Sequence, residues 1–234
     1  MLDSLERFVL GLRERRWANL GVALARIFLA FAFVPAGLKK VLGQPFTDPA
    51  KTGAFHDFLH AFHATGAFYS FVGVVQLSAA FLLLSQRYAT AGAALLLPVL
   101  TAIFVFCWST GVYPTATVVT IMWITTLGLF AWDLDKWRVL LAAEGATRSS
   151  PPRSRPPLDL RLWAACGLTV TALYLGVCLA SAEIYRPRGA EFGKPAFYVF
   201  PLMLALVGAT FGVDEVRHRR RPRQATPGSG EEVL

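Results

Sequence analysis

ATAGAALLLPVLTAIFVFCW, residues 89–108, runs for twenty residues without a single charge. At about 1.5 Å per residue, a helix of this length covers about 30 Å, the thickness of the hydrocarbon core of a bilayer. No soluble domain needs so long an uncharged segment, so this stretch reads as a membrane span. The runs on either side repeat the pattern. Residues 68–84 precede it across Ser85-Gln86-Arg87-Tyr88, and residues 115–132 follow it after a short turn ending at Pro114. Connections this short force antiparallel neighbours that pack together.

Further outward, runs at 18–42, 160–182 and 196–213 bring the count to six. The whole chain agrees with this count. Of its 234 residues 55% are hydrophobic and 16% charged, with a mean hydropathy of +0.48. A soluble domain carries about 25% charged residues. The sequence therefore predicts an all-α integral membrane helical bundle, with the first four spans forming a four-helix core and two further spans added after it.

The formal net charge is +8. The basic residues lie outside the apolar runs, which argues against nucleic acid as a partner and for flanks that face an anionic leaflet. With six spans, the termini and the even-numbered connections share one side. That side holds sixteen lysines and arginines and the other side six, while Arg26 lies within a span. The positive-inside rule then places both termini in the cytoplasm. The partner this implies is the lipid bilayer itself, as the plasma (inner) membrane.

Residues 1–17 place Leu5, Phe8, Val9 and Leu12 at helical spacing opposite charges, as in an interfacial helix. The core covers 18–138, and the added pair 160–214. The Pro/Ser/Arg-rich stretch at 139–159 reads as a disordered linker, and 215–234 as a disordered basic and polar tail.

Polar groups inside so apolar a chain are the candidates for chemistry. Arg26 lies about 12 Å into the first span if that span begins at residue 18. Asp133 ends the fourth span on the same side, so an Arg26–Asp133 ion pair is expected. Lys39 and Lys40 close the first span at the opposite face, after Pro35-Ala36-Gly37. They either hold an anionic headgroup or substrate or act as ordinary interfacial lysines. Gln76 falls near the middle of the second span. Thr117, Thr120, Thr125 and Thr126 add hydroxyls to the fourth. Such groups join helices by hydrogen bonds, or orient a quinone carbonyl in a small cavity.

Between the first two spans, Asp48-Pro49 reads as a helix start and Thr65-Gly66 as its stop. His56, His60 and His63 fall within an arc of about 60° on that helix. Three imidazoles on one face could bind a metal or relay protons, or simply sit between water and lipid. Asp57 projects to one side, so the helix does not itself supply an orienting carboxylate. No histidine lies within a span, which excludes a haem held between spans. Cys107, Cys166 and Cys178 show no paired or metal-binding spacing, and read as small hydrophobes.

Several segments taken together resemble the DoxX family of bacterial membrane proteins. They are Arg26-Ile27-Phe28-Leu29 and Ala36-Gly37-Leu38-Lys39-Lys40, then Gly73-Val74-Val75-Gln76-Leu77-Ser78-Ala79-Ala80. Gln86-Arg87-Tyr88-Ala89-Thr90-Ala91-Gly92-Ala93, Leu97-Pro98 and Trp132-Asp133-Leu134-Asp135 complete the set. The resemblance covers about residues 20–138. It implies a four-helix bundle and a role as a subunit or partner of a quinone-linked membrane oxidoreductase, with quinone as the cofactor. Arg26, Lys39, Gln76, Arg87 and Asp133 lie in the matching segments. The alternative is a membrane scaffold or assembly factor, or a protein that handles small solutes or lipids. The pair of spans after residue 158 departs from the four-span pattern.

Overall fold

The computed structural model describes residues 2–133, 136, 158–181, 184 and 195–220. Its helices are α1 (Leu2–Arg13), α2 (Arg16–Val41), α3 (Ala54–Ala64), α4 (Ala67–Leu84), α5 (Ala89–Ser109), α6 (Tyr113–Trp132), α7 (Leu160–Ser181) and α8 (Pro195–Arg220). Among the described residues, α2 and α4 to α8 are long and apolar enough to cross a membrane, six in all. α2 packs most extensively on α4, and α5 lies between α4 and α6. α7 and α8 pair with each other, and α7 also touches α2 and α4.

The α2–α4 contact is a seam of small residues. On α4, Tyr69, Gly73, Gln76, Ala80 and Leu83 recur at intervals of four and three and are all buried. On α2, Ala23, Arg26, Ala30, Phe33, Gly37 and Lys40 do the same. This is the period of helices that cross at a shallow angle. At the crossing, a Cβ added to Gly73 would lie 2.7 Å from Lys40 Cβ and 2.8 Å from the Gly37 carbonyl. One added to Gly92 of α5 would lie 2.9 Å from the Ala79 carbonyl. In lipid, where apolar burial drives little, such close backbone approach is what holds helices together.

α7 meets the bundle in a related way. Gly167 lies under Leu84 and Ile27, so a Cβ there would come 2.7 Å from Leu84 Cδ2. Further along α7, Tyr174 meets Phe31 of α2 edge-on, with ring centroids 5.4 Å apart.

The helix boundaries correct several expectations. α3 begins at Ala54 and not at Asp48, because Gly53 takes φ 107° immediately before it. Asp48 instead folds its carboxylate onto the Ala50 N–H at 3.0 Å, closing a local turn. Leu158 and Asp159, expected in the linker, belong to the packed structure, and Leu158 is buried. α8 runs on to Arg220, past the expected end of the sixth span, and carries Asp214 and Glu215 on helix rather than at a span end and in a tail. The remainder of the expected linker, 139–157, and of the tail, 221–234, lies outside the described residues.

Candidate functional site

Polar side chains gather in three places: one charged end of the bundle, the middle of the α2–α4 seam, and the end covered by α3.

At the charged end, Asp133 receives several partners at the terminus of α6. Arg26 Nη2 lies 3.5 Å from Oδ2, and Lys136 Nζ 2.6 Å from Oδ1. The Thr90 hydroxyl donates to Oδ2 at 2.6 Å, and Lys136 donates in turn to Thr90 Oγ1 at 2.7 Å. Arg13 stands 3.9 Å from Oδ1, donates to the Trp132 carbonyl and lies over the Trp132 ring. Arg26 also reaches the Gln86 side chain at 3.3 Å and its carbonyl at 3.4 Å. The Arg26–Asp133 pair is thus present, and it is one edge of a larger network. Taking both charges out of water is costly, and the additional hydrogen bonds offset that cost.

Gln86, placed by the sequence only in the short connection between two spans, was not among its candidate residues. It is buried with φ 57°, and its side chain is turned onto α2, accepting from Arg26 and donating to the Ala23 carbonyl at 3.5 Å. Arg87, expected among the bundle residues, is instead exposed and lies over the Tyr88 ring. The inverted backbone at Gln86 exchanges the roles of these two neighbours.

The same end fastens the α7–α8 pair. Arg16 donates to Asp214 at 2.8 Å and also pairs with Glu215. Asp214 accepts the backbone N–H of Asp159 at 3.1 Å. Asp159 caps α7 through the Leu162 N–H at 3.2 Å and pairs with Arg217 at 2.9 Å. Burial pushes the Asp159 carboxyl up, but the Leu162 N–H and the Arg217 guanidinium outweigh it and hold the group below the ordinary carboxylate range. Through these contacts the starts of α2 and α7 and the ends of α6 and α8 meet at one end of the molecule.

In the middle of the seam, Gln76 is 1% exposed, and its Oε1 has no hydrogen-bond partner among the described residues. The threonines of α6 do not converge on it. Thr117, Thr120, Thr125 and Thr126 each donate to the carbonyl four residues back in their own helix. Thr120 alone among them also accepts from another span, from Trp108 Nε1 of α5 at 3.0 Å. A groove of about 410 Å³ is lined by Thr169, Ala172, Gly176 and their α7 neighbours, away from Gln76.

At the third place, the histidine stripe faces the chain that precedes it. His56 Nδ1 meets Thr47 Oγ1 at 2.6 Å, His60 Nε2 the Asp48 carbonyl at 3.3 Å, and His63 Nε2 the Gly43 carbonyl at 3.0 Å. The three imidazoles fasten α3 to residues 43–48 and do not converge. Among the described residues no three histidine, cysteine or acidic side chains form a group suited to a metal ion. This corrects the metal reading: each ring nitrogen goes to its own partner, the Thr47 hydroxyl, the Asp48 carbonyl or the Gly43 carbonyl, so His56, His60 and His63 are not gathered around one point as a metal site requires. Lys39 is half-buried and engaged. Lys40, its neighbour, is buried, donates to the Ala36 carbonyl at 3.2 Å, and lies 4.4 Å from the Phe46 ring centroid and 5.8 Å from that of Tyr69.

Searches against family models, curated proteins and solved structures return no match for this chain, which stands on its own geometry as a multi-span helical membrane protein.

Proposed function

We propose that the chain is a DoxX-like subunit, or partner, of a quinone-linked redox complex in a bacterial plasma membrane, with both termini in the cytoplasm. One observation carries the reading: the Gln76 Oε1, unpartnered among the described residues and enclosed at mid-span between α2 and α4. An amide accepts through its oxygen and donates through its nitrogen. It therefore suits both forms of a quinone, accepting from the hydroxyl of the reduced ring and donating to the carbonyl of the oxidised one. The resemblance of residues 20–138 supplies the redox context. On this reading the charged end, with Arg26 and Asp133, holds the bundle in register and does not touch the quinone.

The test is quinone retained by the protein purified in mild detergent. Gln76→Leu keeps the volume and removes both hydrogen-bonding groups, and should lower retention about tenfold. Unchanged retention, together with unchanged quinone reduction by the co-purified complex, rejects the proposal.

A second reading is a scaffold or assembly factor. It is favoured by the glycine crossings at Gly37, Gly73 and Gly92, which leave helix backbones almost in contact. A scaffold would keep its co-purifying proteins in Gln76→Leu and lose them when the crossings are pried apart.

A further inference from the structure

At the α3-covered end, Lys40 is a charged side chain enclosed within the protein. Its side chain is on the buried seam of α2 and is 6% exposed. An ammonium carries three donors. One is directed to the Ala36 carbonyl, which lies one turn back in the same helix. The surroundings are otherwise aromatic, with Phe46 above the nitrogen and Tyr69 beside it. The nearby hydroxyls are committed elsewhere, Tyr69 to the Gln44 carbonyl at 2.8 Å and Ser70 to the Lys40 carbonyl at 3.3 Å.

No carboxylate pairs with Lys40 among the described residues. The described acids of this end, Asp48 and Asp57, are both exposed to solvent. Arg26, at the far end of the same seam, shows the contrast: it has Asp133 and the Gln86 side chain. Cation–π contact with two rings returns less than burying an ion costs. A lysine free to snorkel would carry its charge to water. This one is held beneath a ring.

The geometry points to an oxyanion-binding site at Lys40, in which the ammonium takes a phosphate or carboxylate group beneath Phe46. The ligand would supply the countercharge and the two acceptors that Lys40 does not find among the described residues. Phe46 belongs to the connection between Gly43, at φ 65°, and Gly53, at φ 107°. Only glycine adopts such angles freely, so the ring is carried on a segment with a backbone pivot at each end. The histidines of α3 hold that segment closed over Lys40. The site is independent of the quinone reading, since it uses none of the groups around Gln76.

Two sources offer this chemistry: the phosphate of an anionic lipid and a free anion in solution. Full-length protein in neutral detergent can be exposed to phosphatidylglycerol, with phosphatidylcholine as the control, and the bound lipid read by native mass spectrometry. A parallel titration with inorganic phosphate and with acetate, read by thermal shift, tests the free anion. Wild type should retain phosphatidylglycerol or be stabilised by a free anion, and which of the two occurs identifies the source. Lys40→Met should weaken that binding about tenfold or more, the scale of a charged hydrogen bond, while Lys40→Arg keeps most of it. Lys51→Met removes an exposed charge at the same end and should change nothing.

Lys40→Met removes a buried charge, so its thermal midpoint in the absence of ligand should equal or exceed that of wild type. Phe46→Ala leaves the lysine in place and should speed ligand release. Failure of wild type to bind either class of probe overturns the site. So does equal loss in Lys40→Met and Lys51→Met, which would mark a response to overall charge alone.

Discussion

Asp133 shows how much one carboxylate can hold at a membrane boundary. Its oxygens join α6 to Thr90 of α5 and to Arg26 of α2, with Lys136 closing the ring. Asp133→Asn leaves Arg26 buried without its countercharge. The expected loss is about 3 kcal/mol, the usual scale for breaking a buried pair from one side, read as a lower thermal midpoint in detergent. Replacing both partners, Arg26→Met with Asp133→Leu, should restore a large part of it. Failure of the double variant to recover would mean that Lys136 and Thr90, not Arg26, are the partners that matter. The Arg26–Asp133 pair was legible in the sequence because a charge inside an apolar run must find an opposite charge at the same depth. Gln86 was not legible, because its role depends on one positive φ in a four-residue turn. The burial of Lys40 was hidden for a similar reason: what covers it is a ring contributed by an irregular segment with no periodicity.

Among the elements, the α2–α4 crossing and the start of α7 give opposite kinds of prediction. At the crossing there is no room. Gly73→Ala drives a methyl into Lys40 Cβ and the Gly37 carbonyl and should cost about 1–3 kcal/mol, as overpacking does. Gly128→Ala, on α6 with nothing within 4 Å, should be neutral or slightly stabilising. Equal thermal midpoints for the two variants would remove the crossing as a source of stability.

The start of α7 responds to acid. Asp159 titrates lower in the folded chain than in the unfolded one, so its contribution is complete above the ordinary carboxylate range and disappears as pH falls through its depressed native value. The gap in thermal midpoint between wild type and Asp159→Ala should be open at neutral pH and close on strong acidification. The spans were readable from hydropathy alone, since length and apolarity decide what crosses a bilayer. The start of α3 was not, because Asp48-Pro49 has the composition of a helix cap and the backbone uses it as a turn.

For the whole molecule, the networks of Arg13, Arg16, Arg26, Asp133, Asp159 and Asp214 bring both described ends of the chain to one pole, and α3 caps the other. The side of the membrane each pole faces can be read with a thiol reagent that does not enter cells. The native cysteines are all buried, so an introduced one should report alone. Lys51→Cys should react in intact cells, and Arg219→Cys only after lysis. The reverse pattern would turn the molecule over. The even number of spans was legible, because length and apolarity count them. How the last two spans attach was not, because Gly167 and Asp214 gain meaning only against Ile27, Leu84 and Arg16, which lie far away in the sequence.

That attachment bears on how the protein is built during synthesis. By the time α6 has left the ribosome, every backbone contact between the first four spans already has both of its halves. The flank formed by Ile27 and Leu84, however, still faces lipid and awaits Gly167, while Arg16 has yet to meet Asp214. The newborn bundle therefore passes through a stage with an unfilled slot on its side and an unanswered cation at its rim, and the last hairpin to be made closes both.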